Sequence, residues 1–161
     1  MNSAVLAEAE QLVRRAKDAS LTVLTVESCT AGALASALAA AEGASNVLHG
    51  GFVVYTKENK TAAVGVPRDL IETHTAVSAP VAKAMALGGI ERGPADLSIA
   101  ITGVAGPDPD EDGNPVGLTF IAAAHRDGRV LGEELRLSGS KDEICSLAMR
   151  AALRLCRRLL P

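Results

Sequence analysis

Apolar and polar positions recur along the chain with two periods, one typical of helices and the other of strands. In residues 4–18 the apolar residues return every three or four positions, which predicts an amphipathic helix. Asn2 or Ser3 is expected to cap this helix, because either side chain can accept a hydrogen bond from a free amide of the first turn. Residues 141–160 show the same spacing and predict a second amphipathic helix.

Short apolar runs bounded by glycine, proline and polar turns predict the strands. The predicted strands are residues 21–26, 50–55, 95–103, about 116–124 and 130–137, and the predicted helices are 29–41, a short stretch through Lys60, 66–74 with Pro67 in its first turn, and 78–93 with Ser78 as N-cap. The last two strands flank "HRDGR" and should form an antiparallel hairpin. Helices between the early strands and a late hairpin favour an α/β fold with three layers, α/β/α, around a mixed β-sheet.

Composition and charge narrow the classes of protein to consider. Apolar residues make up 48% of the 161 residues, and much of that share is alanine, so residues 1–161 are expected to form a single domain with closely packed helices. A net charge of −3 argues against nucleic acid or a membrane surface as a partner. No run is long enough for a membrane helix, and the first residues do not read as a signal peptide. A homo-oligomer is compatible with the alanine-rich surface.

The cysteines and histidines lack the spacing of disulfide frameworks and metal sites. The three cysteines, Cys29, Cys145 and Cys156, lie at unrelated intervals, which is typical of reduced thiols in the cytoplasm. The three histidines are equally scattered. We therefore expect a cytoplasmic protein with neither a metal ion nor another cofactor.

Residues 27–32, "ESCTAG", join a predicted strand to a predicted helix. The first N–H groups of a helix have no partner inside the helix and attract negative charge. A hydroxyl here would lie near N–H donors able to stabilise an oxyanion. Each such donor can lower the activation barrier by roughly 3 kcal/mol. The alternative is structural, since Ser and Thr are ordinary N-caps and Thr30 fits that role. The lack of a GxSxG sequence argues against an α/β-hydrolase.

Two further stretches carry polar groups at predicted strand ends, where ligands bind in open α/β sheets. In the first stretch, Tyr55 ends a predicted strand and Lys60 follows it, so both side chains could contact a ligand. In the simpler interpretation, Lys57 and Lys60 are solvated surface charges. The glycines of residues 101–117 would let backbone amides approach a phosphate or carboxylate, or would make an ordinary turn. The aspartates of this loop imitate part of a calcium loop, but Thr119 stands where a bidentate Glu is required, so calcium is not expected.

Taken together and in this order, these stretches resemble the CinA C-terminal domain family, the nicotinamide-mononucleotide amidohydrolases. The family's "ESCTGG" is similar to residues 27–32, and its "GG-x-V-x-YSN-x-x-K" is similar to residues 50–60. Its "GAVS" and "TG-x-AGP…PVG" are similar to residues 76–78 and to 102–107 with 115–117. The resemblance spans nearly the whole chain and implies the stand-alone form of the family.

The resemblance implies hydrolysis of the carboxamide of nicotinamide mononucleotide to nicotinic acid mononucleotide and ammonia, without a metal. By position, Ser28 would be the nucleophile and Lys60 its general base, with Tyr55 beside them. The residues implied to bind this pyridine mononucleotide, a small-molecule partner, are Cys29, Thr30, Ala31, Gly32, Gly50, Gly51, Thr102, Gly103, Ala105, Gly106 and Lys141.

Such a pair requires an uncharged lysine, because a serine hydroxyl is a weak nucleophile unless a neighbouring base takes its proton. At its usual pKa of about 10.4, a lysine is neutral in only about one molecule per thousand near neutral pH, whereas catalytic lysines have pKa values of roughly 7–8. We expect burial, with Lys57 as a neighbouring cation, to lower the pKa of Lys60. The oxyanion would then bind N–H groups at the start of helix 29–41.

Four positions depart from the family pattern. Ala31 replaces a glycine, Lys57 replaces the asparagine of "YSN", and Lys141 and Cys145 stand where arginines are usual. Lysine keeps a cation but loses the bidentate fork that suits phosphate, and the acidic "DPDEDG" would repel an anion. An alternative function is therefore a catalytically silent nucleotide-binding or regulatory module.

Two adjacent residues, Ser28 and Cys29, are candidates for the nucleophile. Cys29 adjoins Ser28 at a predicted helix start, where the pKa of a thiol is expected to be lowered. Physical chemistry alone favours the sulfur, whereas the family resemblance points to Ser28.

Overall fold

A five-stranded mixed β-sheet forms the centre of the protein in the computed structural model, which describes residues 2–161. The strands are β1 (Val23–Glu27), β2 (Leu48–Val53), β3 (Leu97–Gly103), β4 (Leu118–His125) and β5 (Val130–Arg136), in the spatial order β2-β1-β3-β4-β5. β1 is parallel to both β2 and β3, whereas β4 is antiparallel to β3 and β5. The predicted mixed sheet and its late hairpin are confirmed.

Helices cover both faces of the sheet. They are α1 (Ser3–Asp18), α2 (Ala33–Ala39), α3 (Lys57–Val64), α4 (Arg68–His74), α5 (Ala79–Arg92) and α6 (Lys141–Arg157), with a 3₁₀ turn at Ala44–Asn46. The apolar residues of α1, α2 and α6 form one buried cluster, and those of α3, α4 and α5 form another. In β3, Ile99 and Ile101 belong to the first cluster and Ala100 to the second, because successive side chains of a strand point to opposite faces. The three-layer prediction is confirmed.

The largest error in the predicted elements concerns helix 29–41. Residues 28–32 form a turn in which Ala31 has φ +48° and Gly32 has φ +96°, so α2 begins only at Ala33. Residues with a left-handed backbone cannot belong to a right-handed helix. The helix predicted for 141–160 ends at Arg157. β1 begins two residues later than predicted, and β2 begins two residues earlier than predicted.

The cap predicted for α1 is present, since the Asn2 side chain accepts a hydrogen bond from the amide of Ala4. Near the end of α6, Arg154 and Arg157 both contact Glu8 of α1, which joins the first and last helices. No helix within residues 2–161 has the length and apolar character needed to cross a membrane.

Candidate active site

A cleft of about 380 Å³ opens at the carboxyl ends of the parallel strands β1, β2 and β3. Its lining comes from the turn after β1, from residues 55–60, from residues 102–106, from the acidic segment 108–112 and from Lys141. In open α/β sheets, ligands bind at the carboxyl ends of the strands. The fold therefore brings the three stretches singled out in the sequence to one place.

Ser28 and Lys60 are in direct contact at the inner side of the cleft. The Nζ of Lys60 lies 2.9 Å from the Oγ of Ser28, although the residues are 32 positions apart in the chain. Lys60 lies on α3 and is only 1% exposed, and Ser28 is also buried. We call Ser28, Cys29 and Lys60 the inner wall.

Two backbone carbonyls complete the surroundings of the lysine. The Nζ of Lys60 donates to the carbonyl oxygen of Val54 at 2.9 Å and to that of Tyr55 at 3.3 Å. A neutral amine has two N–H donors and one lone pair. The third N–H of the charged amine donates to the Ser28 Oγ. When Lys60 loses that proton, its lone pair takes the same position facing the Ser28 hydroxyl, which is the orientation that a general base requires.

The pKa of Lys60 is lowered to about 8, mainly because burial penalises the charged ammonium. The charge of Lys57 lowers it further, as expected from the sequence, but this effect is smaller than that of burial. A thiolate at Cys29 would raise the pKa of Lys60. At neutral pH, a fraction of Lys60 in the range of one molecule in ten is then uncharged.

Glu27, the last residue of β1, holds the turn after the strand. Its carboxylate is fully buried and accepts hydrogen bonds from five donors. The donors are the Thr25 and Thr30 hydroxyls and the backbone amides of Gly32, Leu34 and Ala35, at 2.7–3.0 Å. Sequence reasoning missed this role, although an acidic residue just before a helix start was a usable signal.

Glu27 occupies the amides of Gly32, Leu34 and Ala35, so the first turn of α2 is not available to an oxyanion. The amides of Cys29 and Thr30, at the predicted start of helix 29–41, have no hydrogen-bond acceptor within residues 2–161, so an oxyanion site there stays a prediction. Other amides are available in the cleft. Ala105 and Gly106 line it, and within residues 2–161 their N–H groups have no hydrogen-bond acceptor. These two residues, both implied by the resemblance, are further candidates for oxyanion donors.

Tyr55 contributes its backbone rather than its ring to the group around Ser28. Its carbonyl oxygen lies 3.3 Å from the Lys60 Nζ and 3.5 Å from the Ser28 Oγ. The residue is 60% exposed, and its phenol has no hydrogen-bond partner in the part of the chain that the structure describes. A catalytic role of the ring stays a prediction.

Cys29 lines the cleft beside Ser28, but the expectation of a lowered pKa is wrong. A hydrogen bond with the Cys145 thiol and burial together raise the pKa of Cys29 well above its ordinary value. The helix that was to stabilise a thiolate begins four residues later and is capped by Glu27. The sulfur is therefore held as a thiol, which weakens it as a nucleophile.

The opposite side of the cleft is acidic. We call Asp108, Asp110, Glu111 and Asp112, which all line the cleft, the acidic wall. Lys57 contacts this wall at 2.7 Å from the Asp112 carboxylate and 3.2 Å from that of Glu111. The hydrogen bond to Asp112 is the main reason that the pKa of Lys57 is raised.

The structure places several residues implied by the resemblance outside the lining of the cleft. These residues are Thr30, Ala31, Gly32, Gly50 and Gly51. Thr30 and Gly32 serve the turn, because both donate to Glu27. Gly51 lies so close to the next strand that a Cβ there would overlap Thr25, so this glycine permits strand packing.

The remaining implied residues, Thr102, Gly103, Ala105, Gly106 and Lys141, do line the cleft. The Thr102 hydroxyl donates to the carbonyl oxygen of Ala76 at 2.8 Å. Lys141 is the first residue of α6. Lys141 is a cation of the cleft lining, and it forms no ion pair within residues 2–161.

Comparison with known proteins identifies the family of the chain. The sequence profile of the CinA C-terminal domain matches residues 6–160. A CinA-like protein of Mycobacterium marinum is 44% identical over 138 residues, which is 86% of this chain and 32% of that protein. A CinA-like protein of Mycobacterium tuberculosis (strain ATCC 25177 / H37Ra) is 41% identical over 138 residues, with the same shares. The chain thus spans about a third of the length of these curated relatives.

Solved structures match over nearly their full length. The competence/damage inducible protein CihA from Agrobacterium tumefaciens superposes with a TM-score of 0.93 at 36% identity, covering 97% of this chain and 95% of that one. A competence-damaged protein (CinA) superfamily protein from Escherichia coli superposes with a TM-score of 0.92 at 38% identity, covering 99% and 93%. With a profile match over almost every residue and this shared fold, the chain belongs to the CinA C-terminal domain family.

Proposed function

We propose that the protein is an amidohydrolase that deamidates nicotinamide mononucleotide to nicotinic acid mononucleotide and ammonia through Ser28 and Lys60. One observation carries the proposal: a buried lysine whose pKa is lowered to about 8 contacts a serine at 2.9 Å inside a cleft. A nucleophile within hydrogen-bond reach of a base with a pKa near the working pH is the arrangement that covalent catalysis needs. The choice of substrate rests on the family resemblance.

In the first step, neutral Lys60 takes the proton of the Ser28 hydroxyl as the Ser28 oxygen attacks the carboxamide carbon. The new ammonium is stabilised by the carbonyls of Val54 and Tyr55, which both accept from it. Lys60 then gives the proton to the leaving nitrogen, the C–N bond breaks, and ammonia departs. A water molecule, deprotonated by the same amine, cleaves the resulting ester and returns Ser28 as a hydroxyl.

The charges of the cleft set how the substrate lies. The tetrahedral oxyanion is assigned to the amides of Ala105 and Gly106. The pyridinium ring of the substrate is cationic, so the acidic wall attracts it, whereas the phosphate requires cations. Lys141 and Lys57 are the cations in the lining besides Lys60, so the phosphate is expected toward the start of α6.

The decisive experiment follows ammonia release from nicotinamide mononucleotide by the purified protein. Ser28→Ala and Lys60→Met should each lower the rate by roughly 10⁴-fold or more, since the two groups act as a unit. Ser36→Ala and Lys83→Met are matched controls, because both residues are exposed and lie outside the cleft. No ammonia from the parent, or an unchanged rate in Ser28→Ala, would refute the proposal.

The nucleophile is tested by a third variant. Cys29→Ala should retain most of the activity if Ser28 attacks, because the raised pKa of Cys29 keeps the sulfur protonated. A loss in Cys29→Ala as large as that in Ser28→Ala, together with inactivation by iodoacetamide, would assign the attack to the sulfur.

The pH profile tests the role of Lys60 directly. The base works only when it is uncharged, and its pKa is about 8. We expect kcat/KM to fall about tenfold for each pH unit below 8 and to level off above it. A profile that is flat between pH 6 and 9, a range chosen to bracket this value, would remove Lys60 as the base.

The acidic wall favours a second candidate, a catalytically silent module that binds a nucleotide. Four carboxylates line the cleft, and two of them already occupy Lys57, so binding of a dianionic phosphate is opposed. Calorimetry separates the two functions. Mononucleotide binding with no product supports the silent module, whereas steady turnover excludes it.

A further inference from the structure

Cys29 and Cys145 form a pair of adjacent thiols at the edge of the cleft. We propose that a peroxide oxidises these two thiols to a disulfide, and that this bond reversibly switches off the reaction at Ser28. The existence of the bond does not depend on the catalytic proposal. Its effect on turnover does rest on the proposed amidohydrolase function.

The fold brings the two cysteines together from distant parts of the chain. Cys29 lies in the turn after β1 and Cys145 lies in the second turn of α6, which places 116 positions between them. The Cys145 thiol donates a hydrogen bond to the carbonyl oxygen of Cys29, at a distance of 3.7 Å from its Sγ. The two thiols are close enough that each changes the pKa of the other. A disulfide requires the two sulfurs to approach to about 2 Å, so its formation requires both side chains to turn toward each other.

The pair is accessible from two sides. Cys29 lines the cleft together with Ser28. Cys145 lines a second cavity, of about 390 Å³, between the starts of α1, α2 and α6. Both thiols are partly exposed, whereas Cys156, on the same helix, is fully buried. A small oxidant can therefore reach Cys145 without entering the cleft.

The two thiols differ in the way that a peroxide reaction requires. The hydrogen bond with Cys29 lowers the pKa of Cys145 to about 7, and the charge of Lys141 acts in the same direction, against that of Asp142. The pKa of Cys29 is raised by the same hydrogen bond, so this residue keeps its proton. Burial raises the pKa of Cys156 to about 12, which leaves that thiol unreactive.

The chemistry balances with a peroxide as oxidant. The Cys145 thiolate attacks one oxygen of hydrogen peroxide, the O–O bond breaks, and a sulfenic acid and hydroxide form. The Cys29 thiol then attacks the sulfenic sulfur, an S–S bond forms, and water leaves with the proton of the thiol. The two sulfurs lose two electrons in total, and the two peroxide oxygens gain them.

The expected consequence follows from the position of Cys29. It is the residue directly after Ser28, so pulling its side chain toward α6 moves the peptide that holds the nucleophile. A displacement of about 1 Å from the reactive geometry costs roughly 100-fold in rate. Oxidation should therefore separate the Ser28 hydroxyl from the Lys60 amine and suppress hydrolysis.

The experiment treats the full chain with hydrogen peroxide and then measures the cross-link and the activity separately. Mass spectrometry of the digested protein should show a peptide pair that joins Cys29 to Cys145 and lacks two hydrogens. Ammonia release from nicotinamide mononucleotide should fall by roughly 100-fold and should return after dithiothreitol. Cys145→Ser should form no cross-link and keep its own rate after peroxide, whereas Cys156→Ala should behave like the parent.

The outcomes separate the two proposals. Oxidation of Cys145 to sulfinic acid with no cross-link overturns the disulfide, and a cross-linked protein with full activity overturns the switch. If neither the reduced nor the oxidised protein releases ammonia, the amidohydrolase proposal fails together with the switch. In that protein, a Cys29–Cys145 cross-link still supports the modification site, and its absence refutes it.

Discussion

Lys57 and Lys60 lie one helical turn apart on α3, the first against the acidic wall and the second in the inner wall, and their pKa values move in opposite directions. Lys57 is partly exposed and pairs with carboxylates, so its charge is favoured. Lys60 is buried among carbonyls and a hydroxyl, so its charge is penalised. The same type of side chain is thus a fixed cation at the acidic wall, as Lys57, and a candidate base in the inner wall, as Lys60.

The two walls also differ in what holds them. The turn that carries Ser28 and Cys29 of the inner wall is held by the buried carboxylate of Glu27 and by the hydrogen bonds that it accepts. The acidic wall depends on exposed charges, and solvent and salt weaken these. Substitutions in the inner wall should therefore change stability and chemistry, whereas those in the acidic wall should change mainly substrate affinity.

Removing Glu27 should have the largest effect. Glu27→Ala leaves five hydrogen-bond donors without their acceptor, so we expect the free energy of unfolding to fall by about 3–5 kcal/mol. Urea unfolding measures this loss. Glu42→Ala, an exposed carboxylate, should change the value by less than about 0.5 kcal/mol. Equal losses in both variants would mean that the Glu27 carboxylate does not organise the turn.

Lys60→Met should change how stability depends on pH. The pKa of Lys60 is lowered from 10.5 to about 8, so the unfolded chain binds more protons between these values and the stability of the parent rises with pH there. Between pH 8 and 10 the parent should gain about 2 kcal/mol relative to Lys60→Met. Denaturant unfolding at the two pH values tests this. Lys83→Met should show the slope of the parent, and parallel slopes in Lys60→Met would contradict a lowered pKa.

Ala31→Gly should stabilise the turn of the inner wall. The residue has φ +48°, and this left-handed conformation costs a residue with a Cβ about 1–2 kcal/mol, partly offset by the entropy that glycine loses on folding. We expect a net gain of about 0.5–1 kcal/mol in the free energy of unfolding. Ala84→Gly, in the interior of α5, should instead lose about 1 kcal/mol. Losses in both variants would show that the turn tolerates alanine without strain.

Asp112→Asn should have the smallest effect and should act on binding. It removes the carboxylate closest to Lys57 and so frees this cation for the substrate phosphate, while three carboxylates of the acidic wall remain for the pyridinium ring. The KM for an anionic mononucleotide should therefore fall a few-fold at low salt, with little change in kcat. High salt should reduce the difference, because exposed charges are screened. Asp69→Asn, an exposed site outside the cleft, should leave KM unchanged. An increase in KM would show that Asp112 supports binding.

The sequence anticipated the local features of the site and misjudged those that depend on packing. The strand before residue 28 and the helix that carries Lys60 follow from hydrophobic period and turn residues. The place of Ala31 in a left-handed turn did not, because a helical pattern of alanines continues through it. The role of Glu27 was missed for a similar reason: its five donors surround it only after β1 and α2 are folded.

By itself, the sequence determined the order of helices and strands, the mixed sheet and the family to which the chain belongs, because local periodicity and motifs carry this information. The tertiary structure decided the contact of Lys60 with Ser28 and of Cys145 with Cys29, across 32 and 116 positions. It also reversed the expected direction of the pKa change of Cys29, whereas the lowered pKa of Lys60 was expected from the sequence. The physical reason is that burial and charge neighbours arise from packing between distant segments, and a linear pattern does not encode which segments meet.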